Sequence, residues 1–247
     1  MKGFDIFWHS INMVLRNLRY VFKLLLLPGL LGGMIFFLFM KNVVAFSAEV
    51  SAPVAPSLGL AAGGFGIVIG VWFLILWVVV GWHRFVLLEE YPRFLSRPHV
   101  GRIFSYIWHM VGLGLLFALV SLPLMFLILA TVSNSPFELM PLLIAIIFVA
   151  FFILFRVSVI LPAAAIGAPI SITTAWSSTK GANGAIFVLL LLSSFANYLV
   201  ENVFEFLITG SLIGGVFGLV GLIIWSMINV SVITTLYGYY VEGRPIS

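Results

Sequence analysis

Six long apolar runs alternate with short polar stretches along this chain. The runs cover about 21–42, 64–88, 103–131, 140–161, 185–204 and 211–236. Each is long enough to cross a hydrocarbon layer of about 30 Å as an α-helix. Residues 1–20 read differently. Lys2, Asp5, Arg16 and Arg19 are interleaved with Phe4, Phe7, Trp8, Ile11, Val14, Leu15 and Leu18 at three- and four-residue steps. That spacing predicts an amphipathic helix over about 3–19, lying on a membrane surface. The stretch 162–184 is small and polar, with Ser171, Thr173, Thr174, Ser177, Ser178 and Lys180. It predicts a second surface helix over about 171–181, capped by Ser171 and ended by Gly181. Tyr237, Tyr239 and Tyr240 follow the last run as an interfacial belt. The expected fold is all-α: one polytopic domain over 1–247 with six spans and surface helices.

Composition supports that pattern. The chain is 63% hydrophobic and 8% charged, against about 25% charged in soluble domains. So few charges cannot cover a soluble protein of this size, so the apolar surface must face lipid. There is no cysteine, which excludes disulfides, thiolate metal sites and cysteine nucleophiles. The net charge of +4 is no nucleic-acid signal; its distribution matters more. With the N-terminus placed inside, Lys2, Arg16, Arg19, Lys23, Arg84, Arg93, Arg97, Arg102, Arg156, Lys180 and Arg244 fall on or near the inner side, and Lys41 alone outside. This bias places both termini in the cytoplasm. Glu49, Glu138, Glu201 and Glu205 fall at the outer side. The run Leu24–Phe39 is long for the core of a cleaved signal peptide, so the first span is read as retained.

Val157-Ser158-Val159-Ile160 ends the fourth span, and the same four residues recur at Val230-Ser231-Val232-Ile233 near the end of the sixth. Arg84, Arg156 and Asn229 precede the closing turns of the three even spans. The odd spans are each led by a segment holding a tryptophan: Trp8, Trp108 and Trp176. Together these suggest three helix-hairpin repeats.

Arg156 to Ala163, then Ala175-Trp176 and Lys180-Gly181, form a pattern that resembles bacterial YciC-like inner-membrane proteins and the membrane domain of some glycerophosphodiester phosphodiesterases. The resemblance covers roughly the last 100 residues. It implies six helices with surface segments, in a bacterial cytoplasmic membrane. The soluble phosphodiesterase domain has no counterpart here, so its activity is not implied.

If the repeat holds, His83, Arg84, Arg156 and Asn229 sit at one depth and would converge into a cluster for an anion or a lipid headgroup, since guanidinium binds phosphate bidentately. The alternative is that each reaches the headgroups separately, Arg156 by snorkelling. Glu201 and Glu205, four apart with Asn197 one turn earlier, would share a face as an outer acidic site. Asp5 is the only aspartate, and neither a Ser-His-Asp set nor an HExxH motif is present. The expected role is therefore non-catalytic, without cofactor or metal: an accessory, assembly or envelope-homeostasis factor. The competing reading is a transporter or a lipid- or anion-handling protein, working at the cytoplasmic ends of spans two, four and six. Membrane lipids are the expected partners, with a membrane protein or a second copy meeting Gly-rich faces such as Gly66-x-x-x-Gly70 and Gly214-x-x-x-Gly218.

Overall fold

A computed structural model describes residues 2–49, 58–131 and 140–246. Among these the chain forms nine helices: α1 (Lys2–Arg16), α2 (Leu18–Glu49), α3 (Leu58–Leu88), α4 (Val100–Thr131), α5 (Met140–Val157), α6 (Ile160–Ile166), α7 (Ile172–Ser178), α8 (Asn183–Gly210) and α9 (Leu212–Tyr240). Six segments are long and apolar enough to span a membrane: Leu18–Lys41, Gly63–Leu88, Val100–Phe126, Pro141–Ile166, Asn183–Leu207 and Ile213–Tyr240. The protein is thus an all-helical, multi-pass membrane protein. The polar stretch expected between the third and fourth runs, Glu138 included, lies outside the described residues.

Successive spans alternate in direction, so the start of α1, the end of α9 and eleven of the twelve basic residues meet at one end of the bundle. We call this the basic end. There α1 crosses beneath α8 and α9. Its residues divide into three sectors. Gly3, Ile6, Phe7, Ser10 and Val14 are buried against the bundle. Phe4, Trp8 and Leu15 form an exposed apolar stripe, and Asp5 and Arg16 are exposed beside it. A helix with one face on protein, one on lipid and one toward water belongs at the membrane boundary. The Asn17 side chain caps its last turn by donating to the Met13 carbonyl at 2.8 Å, and α2 starts immediately.

Two expectations need correction. The fourth span does not stop at Leu161, and the stretch after it is not all surface. Pro162 has no N–H for the Ser158 carbonyl, so the helix breaks there. Leu161 N–H bonds Ser158 O at 3.0 Å instead, and α6 resumes behind the break. Every residue of α6 from Ile160 to Ala165 is buried. It plugs the basic end between α3, α4 and α9. Gly167 then takes φ 89°, a left-handed stop that glycine adopts freely, and only α7 lies at the surface. Its cap is the expected one: Ser171 Oγ accepts from Thr174 N.

The repeated tetrapeptide also behaves differently in its two places. The first copy spans the α5–α6 break, while the second lies inside the unbroken α9. Trp108 sits within α4, 76% exposed, rather than in a separate leading helix. Only α1 and α7 precede a span as distinct surface helices.

Of the two GxxxG pairs only one is at a close helix contact: a Cβ on Gly214 would clash with the Leu207 carbonyl oxygen of α8. A Cβ on Gly3 would meet the Ala185 carbonyl oxygen at 2.5 Å, and one on Gly81 would meet Leu24 at 2.8 Å. A Cβ on Gly66 would meet nothing within 4 Å.

Candidate functional site

The polar side chains of the basic end form helix-to-helix braces. Trp82 of α3 donates its indole N–H to Ser231 Oγ of α9 at 2.8 Å. One residue on, His83 Nδ1 is 2.8 Å from Thr234 Oγ1, and Nε2 is 3.4 Å from the Tyr106 hydroxyl of α4. The Thr234 hydroxyl donates to the Val230 carbonyl at 2.9 Å. Its oxygen must therefore accept from His83, which assigns the Nδ1–H tautomer. Ser10 of α1 reaches Thr235 Oγ1 at 3.0 Å. Thus Ser231 and Thr234 tie α9 to α3, and Thr235 ties it to α1.

Arg84 serves α6. Its Nη1 donates to the Ala165 carbonyl at 3.2 Å, at the negative end of that helix. The rest of the guanidinium grips Glu90 with two bonds. Glu89 makes this pairing possible: its φ of 56° turns the chain back at the end of α3. His99 Nε2 lies 3.7 Å from Glu90, and the Arg102 guanidinium covers Gly167 nearby.

Arg156 serves α7. It is only 7% exposed. Nε donates to Thr179 Oγ1 and Nη2 to the Trp176 carbonyl, both at 3.1 Å. The guanidinium carbon lies 3.7 Å from the centre of the Trp176 ring. The cation therefore closes the C-terminal end of α7, where helix carbonyls favour positive charge, and stacks on the indole. It turns inward rather than out to headgroups.

Asn229 belongs to another pair. Its Nδ2 donates to Asn197 Oδ1 at 3.2 Å, and Trp225 Nε1 donates to the same oxygen at 2.6 Å. This joins α8 to α9 deeper in the membrane. Glu201 and Glu205 are exposed, on a face that has rotated away from Asn197.

His83, Arg84, Arg156 and Asn229 thus have four separate sets of partners and make no hydrogen bond with one another. Asn197, predicted beside the acidic pair, bonds Asn229. Sequence reasoning missed Ser10, Trp82, Glu90, Tyr106, Thr179, Trp225, Ser231, Thr234 and Thr235. The signal for the last three was a hydroxyl triplet at three- and four-residue steps within an apolar span. In lipid such groups need partners on neighbouring helices or on their own backbone. A cavity of about 180 Å³ lies beside these braces, with His9, Thr234, Thr235, Tyr239 and Arg244 in its wall. Among the described residues no group of three His, Cys, Asp or Glu is placed to hold a metal ion.

The exposed Glu90–His99 pair gives a pH prediction. The Arg84 hydrogen bonds hold the Glu90 carboxyl below its ordinary 4.5, against opposing burial. Burial, then the Arg84 charge, holds the His99 imidazole below its ordinary 6.5, against Glu90. Both groups bind protons more readily in the unfolded chain, so acidification erodes stability. The His99 contribution is present above 6.5 and is lost below it; that of Glu90 is present above 4.5 and is lost below it. The melting temperature in detergent should fall in two shallow steps as pH drops. His99→Gln should remove the upper step and Glu90→Gln the lower. A profile unchanged by either substitution would refute the assignment.

Comparison with protein-family models, with curated proteins and with solved structures finds no match.

Proposed function

We propose that this multi-pass membrane protein is a non-catalytic accessory, assembly or homeostasis factor of the bacterial inner membrane, with both termini in the cytoplasm. It acts as a braced helical scaffold rather than as an enzyme or a conduit. The cross-bracing of the basic end carries this reading. A conduit needs polar groups that face a path and stay free for cargo. Here His83, Trp82, Arg156, Ser231, Thr234 and Asn229 spend their donors and acceptors on facing helices and local carbonyls. The charge asymmetry supports the orientation, and the pattern from Arg156 to Gly181 that resembles YciC-like proteins supports the bacterial location. Surrounding lipid is the first partner. Exposed glycines such as Gly33, Gly66 and Gly114, where a Cβ would meet nothing within 4 Å, leave room for a second protein.

The second reading, a lipid- or anion-handling protein, has the cavity under Arg244 in its favour.

The absence of cysteine makes the test direct, because any introduced thiol is the only one. Single variants Ser177→Cys, Glu201→Cys and Thr234→Cys can be treated with a membrane-impermeant maleimide in intact cells and in inverted vesicles. Ser177→Cys should react only in inverted vesicles and Glu201→Cys only in cells. Thr234→Cys should react in neither. Rapid aqueous labelling of Thr234→Cys would overturn the scaffold reading, and a reversed pattern for the other two would overturn the orientation.

A further inference from the structure

We infer that the cleft between α2, α3 and α9 is a binding site for one acyl chain of a membrane phospholipid. This goes beyond the scaffold reading and does not depend on it. α2 packs along α3 and touches α1 at its start, whereas α9 packs on α1, α3, α6 and α8. A gap is left between α2 and α9, floored by α3. It encloses about 380 Å³, within the usual range of ligand sites, ~300–1,000 Å³.

The gap exists because α2 presents Pro28, Gly29 and Gly32 to it. A Cβ on Gly29 would meet nothing within 4 Å, and one on Gly32 would meet only Leu74, at 3.5 Å. The remaining lining is aliphatic or Met, apart from Ser226. The Ser226 hydroxyl donates to the Leu222 carbonyl at 2.8 Å, so its proton is already spent within its own helix. Nothing in the wall asks for a polar ligand.

At the basic end the cleft is shut by a packed cluster that includes Val14, Val21, Trp82 and Met227. It opens sideways instead, where it is continuous with the exposed flanks of Leu26 and Ile223. Both lie within spans, so the medium at the opening is hydrocarbon.

The opening selects the occupant: its rim lies within spans, so acyl chains are the molecules that reach it. A polymethylene chain is thin and flexible enough to enter, and it restores the dispersion contacts that an empty cleft forfeits.

The test uses the full chain in vesicles of phosphatidylcholine and phosphatidylglycerol, doped with a phospholipid that carries a diazirine in its acyl chain. After photolysis, cross-links should concentrate on Val71–Val79 and Ile223–Val230, above the level on the exposed α4 positions Leu115 and Leu119. Gly29→Leu fills the cleft and should cut those cross-links about tenfold, the signature of a chain excluded from its site. Gly33→Leu, on the open lipid face, should leave them unchanged. Ser226→Leu fills the cleft from the opposite wall and carries the test if Gly29→Leu does not fold. Labelling no denser than on α4, or indifferent to filling from either wall, would overturn the proposal. So would efficient disulfide dimers of a Ser226→Cys variant, which would place a second copy in the cleft.

Discussion

Arg156→Ala is expected to cost about 3 kcal/mol, because it removes a desolvated cation–π stack and two charge-assisted hydrogen bonds at once. Desolvation of the guanidinium opposes this, and buried ion pairs often exchange for apolar groups at little loss. Arg156, however, faces a carbonyl, a hydroxyl and an indole rather than a carboxylate. Its removal strands no counter-charge, but it frees α7 from a cationic clamp. The damage should be local first. Protease cleavage between Ile166 and Gly184 should rise by more than tenfold in detergent, while the rest of the chain is cut at the old rate. Arg156→Lys should recover little, since an ammonium cannot stack and donate twice in one plane. Unchanged proteolysis in Arg156→Ala would mean that the guanidinium reaches lipid headgroups instead.

Gly3→Val should be comparably severe for a steric reason. The new Cβ would lie 2.5 Å from the Ala185 carbonyl oxygen and 2.9 Å from the Val188 Cβ. A backbone carbonyl in α8 cannot step aside as a flexible side chain can, so α1 must lift away. Overpacking of this kind costs about 1–3 kcal/mol, and lifting α1 also strips Ile6, Phe7 and Val14 of their packing. Single hydrogen bonds between membrane helices contribute less, about 0.6 kcal/mol on average, so losing the Ser10–Thr235 contact alone would be minor. The readout is a disulfide between Ser10→Cys and Thr235→Cys, whose native oxygens lie 3.0 Å apart. It should form readily with Gly3 present and poorly with Gly3→Val. Gly33→Val, in open space, should not affect it. Equal cross-linking in both would show that α1 is not seated by Gly3.

The spans were legible because a long apolar run answers to one constraint, the thickness of the hydrocarbon. The Ser171 cap was legible because capping is local. Azimuth was not. α3 and α9 are apolar on almost every side, so their sequences name no packing face, and residues at one depth need not point at one another. That is why His83, Arg84, Arg156 and Asn229 went to four destinations. Asn197 went astray through helix geometry. Steps of four residues drift by about 40° each on a helix of 3.6 residues per turn. By Glu201 and Glu205 the stripe has turned from the α8–α9 seam to the outside. The buried α6 was readable in part: Ile160 to Ile170 contains no polar side chain, an odd composition for a surface segment.

The position of α1 also sets the order of assembly. α1, made before the described spans, rests on α8 and α9, which come after the others in chain order. Its seat does not exist until the C-terminal hairpin is in the membrane. At roughly 5–20 residues per second, the ribosome needs on the order of 10–45 s to synthesise what lies between. Through that interval the end of α1 can meet α2 and α3, but its seat on α8 and α9 is missing, and its exposed stripe of Phe4, Trp8 and Leu15 suits it to wait on the membrane surface. Seating α1 is therefore a step that follows the insertion of α8 and α9.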